Sequence, residues 1–432
     1  MSKTKRTVQY FAGICATFAF TFTGATISWS SPVIPKIKSG EANLLLTDVM
    51  LLFTTMPGLI YLGRFLSGIS NGITAVVTMV YLTEIADKEI RGALGMLVQV
   101  MINLGALSMY GIGPFVSYTA INSIVLAIPV INLLLCLWLP ESPYYHLKDE
   151  RFADAKKVFM ILKGCKDVKW AEEQLGIIRI HVRESMENKS TVMELFSNMK
   201  YRKAVYIVTG LKILQYMTGC LAIQSYLENI FAQSSSVPGA YVSIVYGILQ
   251  LVAGVGATFL AGYFGRRILM GVSSAGVAFS MTIVGLYFFL QDTINISAKS
   301  LETISSMPLV GVLLFNVLYA VGLGTIPYIM QAELFPINVK TVASSSATMM
   351  ACILNFVVTK CYQGVKDMFG HYIVFWSFAL IAYLGIVFIY YFVPETKSKT
   401  LEEIQDFMDG KKNLEVEMLN ERNDSEILEK NS

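Results

Sequence analysis

Pro140 to Tyr145 reads "PESPYY" and closes an apolar run; Pro394 to Lys399 reads "PETKSK" and closes another. In both, the first proline stops a helix and the acid after it opens a polar segment. A second landmark precedes each of them. Glu84 stands seven residues before Arg91, and Glu333 stands seven residues before Lys340. The step from Glu84 to Glu141 is 57 residues, and from Glu333 to Glu395 it is 62. Two accidental acid–base pairs at helix ends would not share order and spacing in this way. The chain therefore reads as two related halves.

Composition says what kind of halves these are. Of 432 residues, 54% are hydrophobic and 15% charged, against about 25% charged in a soluble domain. Ten apolar runs approach or exceed the roughly 20 residues that cross a bilayer as a helix. They lie near 9–29, 63–83, 94–116, 119–139, 204–231, 240–261, 268–290, 308–331, 342–363 and 371–393. The expected fold is an all-α polytopic membrane protein. Lys3, Lys5 and Arg6 precede a first run long enough to span, so no cleavable signal is expected and the N-terminus reads as cytoplasmic. Residues 146–203 hold thirteen Lys/Arg against nine Asp/Glu. They read as a cytoplasmic linker with apolar residues at helical spacing. "ADKEIRG", "YFGRR", "INVK" and "PETKSK" then fall on the same side, and Lys36 and Lys38 on the other.

The expected organisation is an N-terminal transmembrane half (1–145), a cytoplasmic helical linker (146–203), a C-terminal transmembrane half (204–396) and a cytoplasmic tail (397–432). Net charge is only +3, so charge says nothing about nucleic acid, and no nucleic-acid partner is expected. The six cysteines and three histidines show no metal-ligand spacing, so no metal and no cofactor are expected. Neither GxSxG, HExxH nor a P-loop occurs, so an enzyme is not expected. Parallel halves of six helices with a path between them are the major facilitator architecture.

Within that architecture the chain resembles the sugar porter family, most closely its insect facilitated trehalose transporter-like members. The residues that carry the resemblance include "YLGRFLSG", "YLTEIADKEIRGALG", "PESPYY", "QYMTGCLAIQSYLENIF", "GRR", "GLGTIPYIMQAELFP", "LNFVVTK" and "PETKSKTLEEI". The first half is short. From Tyr10 to Glu84 is 74 residues and from Val205 to Glu333 is 128, a shortfall of about 54 (128 minus 74). A helical hairpin needs about 40 residues plus a turn. The family has a second span, a "GxxxDxxGRR" loop and a third span there. Residues 44–62 hold only "LLLTDVMLLFTTMPGLIYL", which reads as a remnant of the third span running into the fourth. Residues 44–60 are expected to make no independent crossing, and Asp48 to sit near the outer surface or face protein.

The resemblance implies a substrate site between the halves, with Gln99, Gln215 and Asn355 as polar ligands and Tyr328 as an aromatic one. Amides suit a sugar because each offers donors and an acceptor; a tyrosine covers an apolar sugar face. Helix–helix hydrogen bonding is the competing use of each amide. The chain departs from the family at Tyr216, Leu221, Tyr328 and Ala351, where Gln, Asn, Trp and Asn are usual. Glu84, Arg91, Arg266, Arg267, Glu333 and Lys340 are implied to gate the cytoplasmic face by salt bridges that break during the cycle. Gly262 and Tyr263 replace the usual Asp and Arg, so an inward-facing state is expected to be favoured. The first span holds no acid, which favours facilitation over proton coupling. The expected function is facilitative transport of a trehalose- or glucose-class sugar across the plasma membrane, with both termini cytoplasmic and the sugar and the lipid bilayer as partners. The alternative is a transport-incompetent truncated relative with a binding or regulatory role.

Overall fold

The computed structural model describes residues 7–38, 57–86, 88–164, 167–187, 195, 199–234, 238–294, 304–335 and 337–397. Among them no strand occurs. The first apolar run is broken into α1 (Thr7–Thr17), α2 (Ala19–Ser28) and α3 (Ser30–Lys38). The first half continues with α4 (Pro57–Ile85), α5 (Lys88–Ile112) and α6 (Tyr118–Cys136). Three shorter helices follow, α7 (Pro143–Lys148), α8 (Phe152–Lys163) and α9 (Val168–Glu187). The second half has α10 (Met199–Met217), α11 (Cys220–Ser234), α12 (Gly239–Tyr263) and α13 (Arg266–Asp292). It ends with α14 (Met307–Val321), α15 (Ile326–Leu334), α16 (Ile337–Phe369) and α17 (His371–Phe392).

Ten stretches are long and apolar enough to cross a membrane, from Thr7–Val33 to His371–Phe392, and they coincide with the ten expected runs. Residues 44–56, with Asp48, lie outside the described residues; Pro57–Ile60 form the first turn of α4.

The two proline landmarks fold differently. In the first, Ser142 caps α7: its hydroxyl accepts from the Tyr144 amide at 3.1 Å, and Pro143 occupies the first helical turn, where no amide hydrogen is needed. The Tyr81 hydroxyl donates to the Pro140 carbonyl at 2.8 Å and ties α4 to this corner. In the second, the Glu395 carboxylate accepts from the amides of Arg266 and Arg267 at 2.9 and 3.1 Å. It thereby caps α13 from a distant part of the chain and meets the positive end of its dipole. A side chain at Gly265 would collide with that carboxylate. The seven-residue Glu–basic spacing brackets a helix break in both halves, α4 to α5 and α15 to α16.

Close backbone approach sets the main seams. α2 crosses α5 where Gly24 faces the Ile102 carbonyl and Gly105 faces the Thr21 carbonyl, leaving no room for a Cβ at either. α5 crosses α12, the main seam between the halves, where Gly247 and Gly254 face Leu107, Tyr110 and Asn103. Small residues at such crossings allow the dispersion contacts that drive association in lipid. α13 packs along α14 and α17, and a continuous buried cluster including Met270, Val277, Phe288 and Phe375 fills the second half. α8 rests on α1, with Leu162 buried beside Ala12 and Ile85.

Candidate functional site

Helix breaks place the side chains that matter. α10 ends at Met217 and α11 starts at Cys220. Gly219 between them has φ of 78°, a left-handed turn that glycine adopts without strain, and a Cβ there would meet the Phe378 ring. α14 and α15 are likewise separated by the turn at Gly322–Thr325. The two breaks bring Gln215 and Tyr328 to one cavity of about 170 Å³ between the halves. The first half contributes Ser28 from α2 and Gln99 and Asn103 from α5; the second contributes Gln224, Gln250 and Asn316 among others.

The amides are ordered by the protein. Gln99 Nε2 donates to Asn103 Oδ1 at 3.0 Å, and Asn103 Nδ2 donates across the seam to the Gln250 carbonyl at 3.1 Å. Gln215 Nε2 donates to the Gly324 carbonyl at 3.1 Å. The Tyr216 and Tyr328 hydroxyls share a hydrogen bond of 2.8 Å. Asn316 Nδ2 donates to the Tyr246 carbonyl at 2.9 Å. Gln250 Oε1 is buried and without a hydrogen-bond partner among the described residues. Ile27, Ile102, Leu221 and Ala320 supply apolar wall, and none of the described lining residues is charged. Such a site suits a neutral ligand rich in hydroxyl groups, with apolar faces between its polar edges.

Gln99, Gln215 and Tyr328 thus surround one cavity. Asn355 does not line it: on α16 its Oδ1 accepts from Thr359 Oγ1 at 3.2 Å, within its own helix. Asn103, Gln224, Gln250 and Asn316 were missed by sequence reasoning. The signal for Asn103 is its i+4 position after Gln99, which puts both amides on one helical face. The others carry no local signal that separates a cavity amide from a helix-packing one.

The charged residues nominated as a gate divide by half. In the second half, Arg266 pairs with Glu333 at 3.4 Å, and the other Glu333 oxygen accepts from Thr396 Oγ1 at 2.6 Å. Arg267 donates to the Tyr390 carbonyl and lies 5.1 Å from the Tyr390 ring centroid. Lys397 Nζ reaches the Tyr263 carbonyl at 2.6 Å, using backbone where the family has an acid and a base. In the first half Glu84 is half-buried at the end of α4. The side chains of Arg91 and Lys340 lie outside the described residues.

The model of the family described as "Sugar (and other) transporter" matches residues 40–407. A facilitated trehalose transporter of Bombyx mori is 32% identical over 349 residues, covering 80% of this chain and 68% of that protein. One of Anopheles gambiae is 30% identical over 359 residues, covering 83% of this chain but only 44% of the relative's length. Among solved structures, the inward-open xylose transporter XylE of E. coli superposes with a TM-score of 0.65 at 20% identity, covering 93% of this chain and 83% of that one. XylE bound to 6-bromo-6-deoxy-D-glucose gives a TM-score of 0.63 at 19% identity. These likenesses extend the fold assignment to the major facilitator architecture.

Proposed function

Because the chain belongs to the sugar (and other) transporter family, whose members are membrane transporters and not enzymes, we propose that it carries a trehalose- or glucose-class sugar downhill by alternating access. The observation that carries this reading is the cavity itself. It lies between the halves, is lined by amides from both, and contains no charged side chain among its described residues. Gln99 and Gln215 hydrogen-bond the sugar from opposite sides, and Tyr328 covers an apolar face of the ring. Asn355 stands outside this ligand set. Residues 1–145 and 204–396 move against each other, and the helices of 146–203 join them on the cytoplasmic side of the plasma membrane, where both termini also lie.

The second-half cluster of Arg266, Glu333 and Glu395 holds the cytoplasmic ends together in one state and releases them in the other. The Arg266 and Glu333 side chains keep 19% and 26% of their surface exposed. Long at 3.4 Å and partly open to water, the pair contributes on the order of 1 kcal/mol, which a transport cycle can break and remake. Among the described residues no acid stands near the middle of a span, which favours facilitative transport over proton coupling. Uptake of radiolabelled trehalose and glucose, normalised to surface-biotinylated protein, tests the proposal. Saturable flux for one of them is expected. Full surface delivery without flux for either sinks it and favours a transport-incompetent relative.

A further inference from the structure

Lys212 lies three residues before Gln215 on α10 and has 0% of its surface exposed. An ionisable side chain buried within a span is expensive unless its surroundings compensate it. Among the described residues no carboxylate lies within ion-pair distance of it. Two neutral groups serve instead. Lys212 Nζ donates to Gln215 Oε1 at 3.3 Å, and it sits 3.5 Å from the centroid of the Tyr328 ring, a cation–π contact. Both neighbours line the cavity, whereas Lys212 itself does not.

We propose that Lys212 is a positioning residue of the sugar site: it locks the Gln215 amide in one orientation and clamps the Tyr328 ring in place. The lock follows from hydrogen-bond chemistry. An ammonium only donates, so the atom facing it must be the amide oxygen. The Gly324 carbonyl only accepts, so the atom facing it, at 3.1 Å, must be the amide nitrogen. A flipped Gln215 would set nitrogen against ammonium and oxygen against carbonyl, losing both bonds together. One N–H and one oxygen lone pair of Gln215 then remain for the ligand, in fixed directions. Tyr328 is held twice, by the ammonium on its face and by the Tyr216 hydroxyl at its edge. With both ligands arranged before the sugar arrives, binding is not charged the entropy of ordering them.

This inference rests on the sugar-site reading above, so its test reads binding and flux separately. The protein is reconstituted in nanodiscs, and equilibrium binding of tritiated trehalose and glucose is measured for wild type, Lys212→Met, Gln215→Ala and the double variant. Flux is measured in parallel in proteoliposomes. Lys212→Met is expected to weaken binding about tenfold, the order expected from losing a hydrogen bond to a charged group. In the Gln215→Ala background the same substitution should change affinity less than about twofold, because the residue it acts through is gone. Lys212→Gln, neutral but polar, repeats the cycle should Lys212→Met fail to fold. An unchanged affinity in Lys212→Met, or an equal loss in both backgrounds, would overturn the proposal. Binding with the expected coupling but no wild-type flux would support it while sinking the transport reading. Absence of binding for either sugar would overturn both.

Discussion

The fourth and the thirteenth helices mark the contrast between the two halves. Within the span of α4 only 11% of residues are buried, and within that of α13 the figure is 56%. α13 lies in a packed core with α14 and α17 against it. α4 turns Phe65, Leu66, Ile69, Ile73 and Val77 outward, and a Cβ added at Gly63, Gly68 or Gly72 would meet nothing. Only its last turn is buried in apolar contacts, through Leu82 and Ile85; what fastens the rest of α4 is polar. Arg64 donates to the Thr26 carbonyl at 2.6 Å and lies 5.3 Å from the Trp29 ring centroid. Asn71 accepts from Thr23 and donates to Thr26, both at 3.0 Å. In lipid an outward apolar face carries no penalty, so a bare helix needs only a few directed contacts to hold its place. α13 is held by a core; α4 is held along most of its length by seams and hydrogen bonds.

The largest break in that comparison comes at the α2–α5 seam. Gly105→Val forces a side chain into the Thr21 backbone, which cannot yield as a flexible side chain would. A loss of about 3 kcal/mol, the upper end of the range for overpacked cores, should appear as a melting-temperature drop and retention inside the cell. The next effect separates the two proline landmarks. Glu395→Gln removes the charge that caps α13 and should cost about 2 kcal/mol, read as a lower melting temperature in detergent. Glu141→Gln, at an exposed position of the first landmark, should leave it unchanged. Equal shifts would mean that the halves are built alike at this end. A smaller effect is expected from Glu333→Gln: under about 1 kcal/mol on stability, but a measurable change in transport rate at unchanged surface density. The smallest belongs to Gly68→Ala, which fills open space on α4 and should match or slightly exceed wild-type stability. A marked loss there would reveal a partner on the bare face of α4.

Much of the fold is legible in the sequence because membrane physics is simple. Ten apolar runs announce ten spans, and the repeated Glu–basic and Pro–Glu landmarks announce the two halves. The breaks inside spans are less legible. "TG" at Thr218–Gly219 and "GLGT" at Gly322–Thr325 are ordinary small-residue steps in apolar runs, yet they decide which faces Gln215 and Tyr328 present. The nominated site residues show the same limit. Asn355 resembles a ligand by its surroundings in the chain, but the rotation of a 33-residue helix about its own axis leaves it bonded within that helix. Rotation is set by packing, which no single helix records. Gln250 and Asn316 are lone amides in apolar runs, a pattern that helix–helix bonding produces just as well. Lys212 stood in plain view in "YIVTGLKILQYM". It was missed by sequence reasoning, and its burial against Tyr328 is what distinguishes it.

The central claim is that one sugar site is shared by two unequally built halves. Kinetics of sugar uptake for Gln99→Ala and Gln215→Ala, at matched surface density, test it most directly. Each should raise KM by about tenfold, the order expected for loss of a hydrogen-bonding ligand in a desolvated site, with delivery to the surface intact. A large effect of Gln215→Ala beside wild-type kinetics for Gln99→Ala would contradict the shared site and confine binding to the second half.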